Sequence, residues 1–319
     1  MPTLIDPPSK GTVYCLLSAT CYSVTNICLR QLAEIEADPA WVIFLKETTA
    51  VLIIGPWLLW QLSRGVRPTG QRRALLLLFI ASLTVQLVAN LSVQWALGIV
   101  GLAISLPIVF STSLIGSAVI GSIVFHESLS TRSALAIIVV IFSIVLLSLG
   151  ATELNGTSAD TSSLFLSSLA IVAVSVCGII YAYIGTAIRY AMSVGMSVLG
   201  TVFVVTCTGS LSLGALCLIR LGPAEILATD PTVLAWSIAS GLCNVAAFSF
   251  ITKGLQLTTL VHVNMLNSSQ VAIGALAGIF LFHEPFNIWL LSGIVMIIVG
   301  IGLFGQPQVQ HPDTILNDA

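Results

Sequence analysis

Charged side chains are scarce in this sequence: Lys, Arg, Asp and Glu together make up only 8% of its 319 residues. A soluble globular chain typically carries about 25% charged residues, so this chain has too little charge to cover its surface in water. Hydrophobic residues make up 57% of the chain, and its mean hydropathy is +1.06. The composition therefore excludes a soluble protein and predicts an integral membrane protein.

Positive charge is also scarce, and it is not clustered. The 11 Lys and Arg residues are outnumbered by 13 Asp and Glu residues, which gives a net charge of -2. Binding to a nucleic-acid backbone requires clustered Lys and Arg side chains. We therefore expect no nucleic-acid partner, and we expect membrane lipid and a small molecule instead.

The common motifs of catalytic and metal sites are missing. The chain has no HExxH or CxxC spacing, no GxxxxGK[ST] loop for ATP and no GxSxG nucleophile elbow. Its seven cysteines all fall in apolar runs, where they fit small buried hydrophobes better than disulfides. Short loops also disfavour a membrane enzyme. We therefore expect no catalytic residue, no cofactor and no metal site.

One stretch of the chain occurs twice. Residues 107–129 align with residues 264–286 at an offset of 157 positions, with six identities over 23 positions. The repeat extends toward the start of each half, because Tyr22 aligns with Tyr181 at an offset of 159. A repeat of this extent predicts that the chain consists of two related units.

Ten apolar runs are long enough to cross a bilayer, whose core of about 30 Å needs about 20 residues of helix. The predicted spans are approximately 11–32, 39–62, 73–96, 99–124, 131–150, 163–188, 194–219, 232–253, 258–282 and 287–305. Five spans form a first unit at 10–150, and five form a second unit at 163–305. The polar linker 151–162 joins the two units, and 306–319 is a polar tail. The sequence thus predicts an all-α fold of ten transmembrane helices.

The distribution of basic residues indicates the orientation. With the N-terminus in the cytoplasm, eight Lys and Arg residues fall on the cytoplasmic side and two on the outer side, as the positive-inside rule requires. Because five is odd, the second unit then inserts upside down relative to the first. We predict two inverted repeats in the inner (cytoplasmic) membrane, with both termini in the cytoplasm. Such repeats are typical of secondary transporters, which bind their substrate near the midplane.

Both halves share one further pattern: an apolar helix runs into a Glu-bearing loop, and a last helix with spaced glycines follows. The matching stretches are Ala96-Leu97-Gly98, Pro107 and Phe125-His126-Glu127 in the first half, and Gly254-Leu255 and Phe282-His283-Glu284 in the second. Over roughly residues 10–305 the chain resembles the drug/metabolite transporter superfamily, and in particular its EamA-type ten-helix exporters. The resemblance implies export of small metabolites, often amino acids, by alternating access. The chain departs from it at Asn264, which stands opposite Pro107, and at Lys46, where relatives often have Arg.

Lys46 and Glu47 lie inside the second predicted span, where ionisable groups are costly and mark candidate functional sites. With a rise of 1.5 Å per residue, Glu47 lies about 10 Å below the outer end of the helix. Lys46 either extends its long stem to the outer interface or faces a cavity. Glu47 either makes a structural hydrogen bond or ion pair, or serves in transport as a proton carrier or as the partner of a substrate ammonium group.

Polar side chains recur in several other spans, many of them at helical spacing. Those we select are Tyr22, Asn26, Gln86, Asn90, Ser111, Tyr181, Asn244, Asn264, Asn267 and Gln270, and Gln94 continues the Gln86–Asn90 stripe. Each of them could serve only as a hydrogen bond between helices. Because four or more helices turn an amide or phenol inward, we predict that these residues line a cavity for a small zwitterion together with Lys46 and Glu47.

The two His-Glu pairs, His126-Glu127 and His283-Glu284, have side chains that could bind a metal. The predicted topology places them on opposite faces of the membrane, so they cannot form one site. We interpret them as architectural features of the two repeats.

These observations predict a secondary transporter, without enzymatic activity, that exports small polar metabolites such as amino acids. A proton is a candidate coupled ion. The alternatives are a multidrug exporter of lipophilic cations and a passive channel. A nucleotide-sugar carrier is disfavoured because the spans hold almost no basic residues for a phosphate.

Overall fold

The computed structural model describes residues 10–64, 71–124, 131, 134–139, 141–143, 146, 161–283 and 287–303. All regular secondary structure within these ranges is helical. The predicted tail 306–319, nearly all of the linker 151–162 and much of the fifth predicted span lie outside the described residues.

The helices form two series along the chain. The first consists of α1 (Lys10–Glu34), α2 (Pro39–Ser63), α3 (Arg72–Thr84), a π-helix (Val85–Asn90), α4 (Leu91–Val100) and α5 (Leu102–Val124). Helical stretches at 134–139 and 141–143 follow. The second consists of α6 (Thr161–Ser193), α7 (Val198–Arg220), α8 (Gly222–Leu227), α9 (Pro231–Leu257), α10 (Leu260–Asn267), α11 (Ser269–Leu281) and α12 (Ile288–Leu303).

Eight helical segments in the described part of the chain are long and apolar enough to cross a membrane. They correspond to the predicted spans one to four and six to nine. The segment from α3 through the π-helix to α4 forms one of them, and α10 with α11 forms another. The tenth predicted span is α12, which has 16 residues and is shorter than the roughly 20 that a bilayer crossing needs.

The outer surface of the bundle is largely apolar, and several polar side chains are turned inward. Leu52 and Leu211 are each 70% exposed, and Ile219 is 83% exposed, whereas Glu47 and Gln86 are buried. Apolar groups in this position belong in lipid hydrocarbon rather than in water. The distribution is therefore that of a membrane protein.

Short polar residues and glycine direct the chain at the turns. The Asp38 carboxylate caps α2 by accepting a hydrogen bond of 3.0 Å from the Ala40 backbone N–H. Asp230 caps α9 in the same way through the Thr232 N–H at 2.6 Å, and this hydrogen bond lowers the pKa of the Asp230 carboxyl. Between α4 and α5 the chain turns at Gly101, whose φ of 74° suits a residue without a side chain.

Helices of the two series pair with one another. α1 packs antiparallel on α9, with Gly254 beside the Cys15 thiol and the Ser18 hydroxyl donating to the Ala247 carbonyl oxygen at 2.9 Å. α2 packs on α7, and α5 packs on α6. The core of the bundle is therefore built from both halves of the chain.

The closest approach between α5 and α6 depends on a small residue. A Cβ at Gly178 on α6 would lie 2.7 Å from the backbone nitrogen of Ser113 and would also collide with the Thr112 hydroxyl on α5. Only glycine permits this approach of the two backbones, which is a common device in membrane helix pairs.

Two contacts identify the two ends of the bundle. Gly11 lies beside Leu257 where α1 begins and α9 ends. Near the opposite end of α1, the Arg30 guanidinium lies 5.3 Å from the centre of the Phe282 ring, just beyond α11. We call the first end the Gly11 face and the second the Arg30 face.

Candidate functional site

A cavity of about 200 Å³ lies inside the bundle and is lined by both halves of the chain. Eleven of the twelve predicted site residues line it: Tyr22, Asn26, Lys46, Glu47, Gln86, Asn90, Tyr181, Asn244, Asn264, Asn267 and Gln270. They come from α1, α2, the π-helix, α6, α9, α10 and α11. The fold thus brings polar side chains from seven helices to one place in an apolar bundle.

Ser111 is the predicted residue that the structure does not bring to the cavity. Its hydroxyl donates to the Pro107 carbonyl oxygen at 2.9 Å, within its own helix. Ser113 lines the cavity instead, because two residues of helix correspond to a rotation of about 200°. The repeat contains a signal for this correction, since Ser113 aligns with Gln270 at the offset of 157.

Lys46 and Glu47 form an ion pair inside the bundle. The Lys46 Nζ lies 3.1 Å from the Glu47 Oε1, and the two side chains are only 6% and 3% exposed. Lys46 therefore does not extend to the interface. Of the two roles that the sequence leaves open for it, the geometry favours the cavity.

Gly209 on α7 makes room for this pair. A Cβ at this position would lie 2.9 Å from the Glu47 Cγ and 2.6 Å from the Gln86 side-chain amide. Contacts this short do not occur between real side chains, so the absence of a side chain at Gly209 allows both residues to occupy their places beside the cavity.

A chain of hydrogen bonds joins the polar residues of the third span to α6 and α7. Asn90 donates from Nδ2 to the Gln86 Oε1 at 2.6 Å, and Tyr181 donates its hydroxyl to the Asn90 Oδ1 at 2.7 Å. Gln86 in turn donates to the Val205 carbonyl oxygen at 3.4 Å. These bonds fix the orientation of both amides at the wall of the cavity.

The third span is interrupted by the π-helix, a feature that the sequence does not predict. Gln86 and Asn90 both lie on it. The Cys177 thiol on α6 donates to the Ala89 carbonyl oxygen on this segment, with a sulfur–oxygen distance of 3.4 Å. π-helical segments inside α-helices occur often at functional sites, and this one places its two amides against the cavity.

A second chain of amides lines the cavity from α1, α10 and α11. Asn26 donates from Nδ2 to the Gln270 Oε1 at 3.1 Å, and Gln270 donates from Nε2 to the Asn267 Oδ1 at 3.2 Å. The break between α10 and α11 falls at Ser268, among these residues. The predicted ninth span is therefore two helices that meet at the cavity wall.

Asn264 connects α10 to α5 at the edge of the cavity. Its Nδ2 donates to the Ser117 hydroxyl oxygen at 2.8 Å and to the Leu260 carbonyl oxygen at 3.0 Å. Its Oδ1 lies 3.3 Å from the Ser113 hydroxyl, which donates to it. We call this group of Asn264, Ser113 and Ser117 the polar clasp.

Some lining residues are absent from the predicted site. The polar ones are Thr25 and Ser113, and apolar side chains include Leu29, Ile43, Val93, Leu106, Phe110, Ile184, Ile188, Phe248, Ile251, Leu255 and Val263. Gln94, which continues the predicted stripe of Gln86 and Asn90, also lines the cavity. Gln94 donates to the Leu29 carbonyl oxygen at 3.0 Å. The apolar residues carry no signal in a sequence where most helical positions are apolar, so only a structure can identify them.

The His-Glu pairs contribute little to what the structure describes. His126, Glu127 and Glu284 lie outside the described residues. His283 is exposed, with a φ of 51°. Within the described ranges, no group of three or more His, Cys, Asp or Glu side chains could hold a metal ion.

Comparison with known proteins identifies a family and a fold. The profile of the EamA-like transporter family matches residues 9–149 and 168–306. No curated protein shows significant similarity to the chain. Among solved structures, 28 chains match. One, described only as a crystal structure of a protein, has a TM-score of 0.67 at 15% identity over 93% of this chain and 96% of its own.

Proposed function

The chain belongs to the EamA-like transporter family, and on this basis we propose that it is a secondary transporter that exports small polar metabolites such as amino acids. It acts by alternating access in the inner (cytoplasmic) membrane. The resemblance that the sequence suggests is thereby confirmed at the level of the family, and the substrate class is the proposal.

The observation that carries the proposal is the polar cavity inside the bundle. Its wall combines an ion pair, several amides and two phenols from both halves of the chain. Its volume of about 200 Å³ is below the range of about 300–1,000 Å³ typical of pockets for drug-sized ligands. A small polar molecule therefore fits this site better than a large one.

The architecture proposed for this transporter is ten transmembrane helices in two inverted repeats, 10–150 and 163–305, joined by the linker 151–162, with both termini in the cytoplasm. The helix pairing supports it. α1 packs on α9, and α6 packs on α3 and α4. In the repeat, α6 is the counterpart of α1, and α3 with α4 is the counterpart of α9. A pseudo-two-fold axis between the repeats produces this reciprocal pairing, and the aligned Tyr22 and Tyr181 both line the cavity.

Transport in this scheme is a rocking of the two repeats about the cavity, which opens to one side and then to the other. The amides and phenols bind the substrate by hydrogen bonds. Glu47 carries a coupled proton or pairs with an ammonium group of the substrate. Lys46 neutralises Glu47 when the cavity is empty.

Counterflow in proteoliposomes tests the proposal. Purified protein is reconstituted, and uptake of a panel of labelled amino acids is compared for the wild type, Glu47→Gln and Asn90→Ala. We expect saturable uptake by the wild type and a strong loss in both variants. Ser175→Ala, whose hydroxyl bonds to its own helix and is not part of the cavity wall, is the matched control. Wild-type uptake by both cavity variants contradicts the proposed site, and flux that does not saturate indicates a channel.

A multidrug exporter of lipophilic cations is the second candidate, and the apolar part of the cavity wall favours it. Such a substrate requires an acidic partner, which Glu47 supplies. Adding quaternary ammonium compounds to the counterflow assay separates the two candidates. Competition by these compounds, without competition by amino acids, favours the multidrug exporter.

A further inference from the structure

The cavity holds one cation and one anion, and they belong to neighbouring residues. Among the lining side chains in the described part of the chain, only Lys46 and Glu47 are charged. Their charged groups are 3.1 Å apart and almost completely buried. Because each charge neutralises the other, the wall of the cavity has no net charge.

This balance restricts the charge of a ligand. A charge in a low-dielectric interior needs a partner of opposite charge, because nothing else offsets the free-energy cost of its lost hydration. A cationic ligand would leave one positive charge in excess in the cavity, and an anionic ligand would leave one negative charge in excess. A zwitterion brings both signs and leaves the total at zero.

On the basis of the proposed function, we propose that Lys46 and Glu47 are the two subsites of a charge clamp for a zwitterion. Lys46 takes the carboxylate of the ligand, and Glu47 takes its ammonium group. In this arrangement Glu47 binds the substrate and does not carry a coupled proton. It also selects zwitterions over lipophilic cations as the substrate class.

The chemistry of the pair suits such an exchange. A Lys ammonium group has three donors, and a carboxylate has two oxygens with about four acceptor sites. Each group can therefore bind the ligand without losing every contact to its partner. In an α-amino acid the carboxylate and the ammonium group share one carbon, so both can reach two protein charges that lie 3.1 Å apart. When the ligand binds, Lys46 pairs with its carboxylate and Glu47 pairs with its ammonium group, so every charge keeps a partner of opposite sign.

The remaining wall accommodates an apolar substituent. Ile184, Ile188, Phe248, Leu255 and Val263 line the cavity on the parts of α6, α9 and α10 that lie nearest the Gly11 face. A zwitterion with an apolar side chain matches both parts of the wall. The probes of the test therefore carry such a side chain.

Three probes with the same side chain and different charge test the clamp on the wild-type protein. L-leucine is a zwitterion, L-leucine methyl ester is a cation and N-acetyl-L-leucine is an anion. Binding is measured as thermal stabilisation of the purified full-length protein over a range of ligand concentrations. We expect leucine to bind at least about tenfold more tightly than either derivative. Equal or tighter binding of the ester or of the N-acetyl compound overturns the proposal.

Variants of the pair move the preference in opposite directions. Lys46→Met leaves Glu47 uncompensated, so the methyl ester becomes the preferred probe. Glu47→Gln leaves Lys46 uncompensated, so N-acetyl-leucine becomes the preferred probe. Thr48→Ala is the matched control, since Thr48 lies on the same helix and bonds to Ser210 at 2.8 Å outside the cavity, and it retains the preference for leucine.

The double variant Lys46→Met/Glu47→Gln covers the case in which a single variant fails to fold. It leaves no uncompensated charge in the cavity, so its folding does not depend on an unpaired ion. We expect it to lose the preference for leucine over the two derivatives. An unchanged preference in the double variant overturns the clamp.

Counterflow with the same probes separates this inference from the proposed function. If leucine is transported but its preference is unchanged in the variants, the clamp is wrong and the transporter remains. If none of the three probes stabilises the protein, the clamp is also wrong, because a zwitterion of this kind is what it should hold. Saturable transport of another class of metabolite would then still support the proposed function.

Discussion

Asn264 on α10 donates a hydrogen bond of 2.8 Å to the Ser117 hydroxyl on α5, and the repeat does not reproduce this bond. At the offset of 157, Asn264 aligns with Pro107 and Ser117 aligns with Gly274. Neither Pro107 nor Gly274 has a polar side chain that could form such a bond. A Cβ at Gly274 would lie 2.5 Å from the Cδ1 of Leu106, next to Pro107. α5 is thus joined to α10 by a polar contact and to α11 by an apolar one. The contact nearer the Gly11 face and the contact nearer the Arg30 face differ in chemistry.

Loss of the polar clasp should weaken the contact between α5 and α10 on the side of the cavity nearer the Gly11 face. Asn264→Ala leaves the Ser113 hydroxyl without its acceptor, and an unpaired buried polar group costs about 1–3 kcal/mol. The Ser117 hydroxyl loses the Asn264 donor but keeps its own bond to the Ser113 carbonyl oxygen at 2.7 Å. We expect a lower free energy of unfolding and a changed maximal rate of transport. Unfolding in detergent and counterflow measure the two effects.

The matched control for the clasp is Ser122→Ala, because the Ser122 hydroxyl bonds to the Val119 carbonyl oxygen of its own helix. It should leave stability and transport near the wild-type values. In a double-mutant cycle, Asn264→Ala and Ser117→Ala should cost less together than the sum of the two single effects. Strictly additive losses would mean that the two side chains do not act through their hydrogen bond.

Much of the polar wall of the cavity could be predicted, because polar side chains in an apolar membrane helix are restricted to the face that points into the protein. Gln86 and Asn90 lie four residues apart in a helix made mostly of Leu, Val and Ala. Such spacing places both on one face, and the lipid-exposed faces exclude them. The same argument identified the pair of Lys46 and Glu47, but not the fact that they bind each other.

The remaining features depend on contacts between helices that the sequence does not encode locally. The choice between Ser111 and Ser113 depends on the rotation of α5 against α6. The π-helix accepts a hydrogen bond from Cys177, which is distant in sequence from the Ala89 carbonyl oxygen. The break at Ser268 falls in a run that is apolar enough to continue as a single span.

Gly209 should not tolerate a side chain. In Gly209→Ala the new Cβ would lie within 2.9 Å of both Glu47 and Gln86, and overpacking of this kind costs typically about 1–3 kcal/mol. We expect reduced transport and a lower thermal unfolding midpoint. Gly55→Ala is the matched control, because its Cβ would meet only Phe203 at an ordinary 3.6 Å. Equal behaviour of the two variants would show that Gly209 does not constrain the site.

Tyr181→Phe distinguishes a binding residue from a structural one. The variant keeps the ring and removes the hydroxyl that bonds to Asn90 at 2.7 Å. Hydrogen bonds between membrane helices contribute on average only about 0.6 kcal/mol, so stability should change little. If the bond orients Asn90 toward the substrate, KM should rise severalfold. Tyr183→Phe, at a ring that is partly exposed, is the control, and a loss of stability with unchanged KM would mean that Tyr181 has only a structural role.

The thiol of Cys177 should support the π-helix by satisfying the carbonyl of Ala89. Cys177→Ala removes this donor and leaves a buried backbone oxygen without it, whereas Cys177→Ser supplies a hydroxyl in its place. A thiol is a weak donor, so we expect the Ala variant to lose up to about 1 kcal/mol of stability and the Ser variant to lose less. Since Gln86 and Asn90 lie on the π-helix, transport by the Ala variant should fall as well. Thermal unfolding and counterflow of the two variants provide the comparison, and an Ala variant as stable and active as the Ser variant would mean that the π-helix forms without this bond.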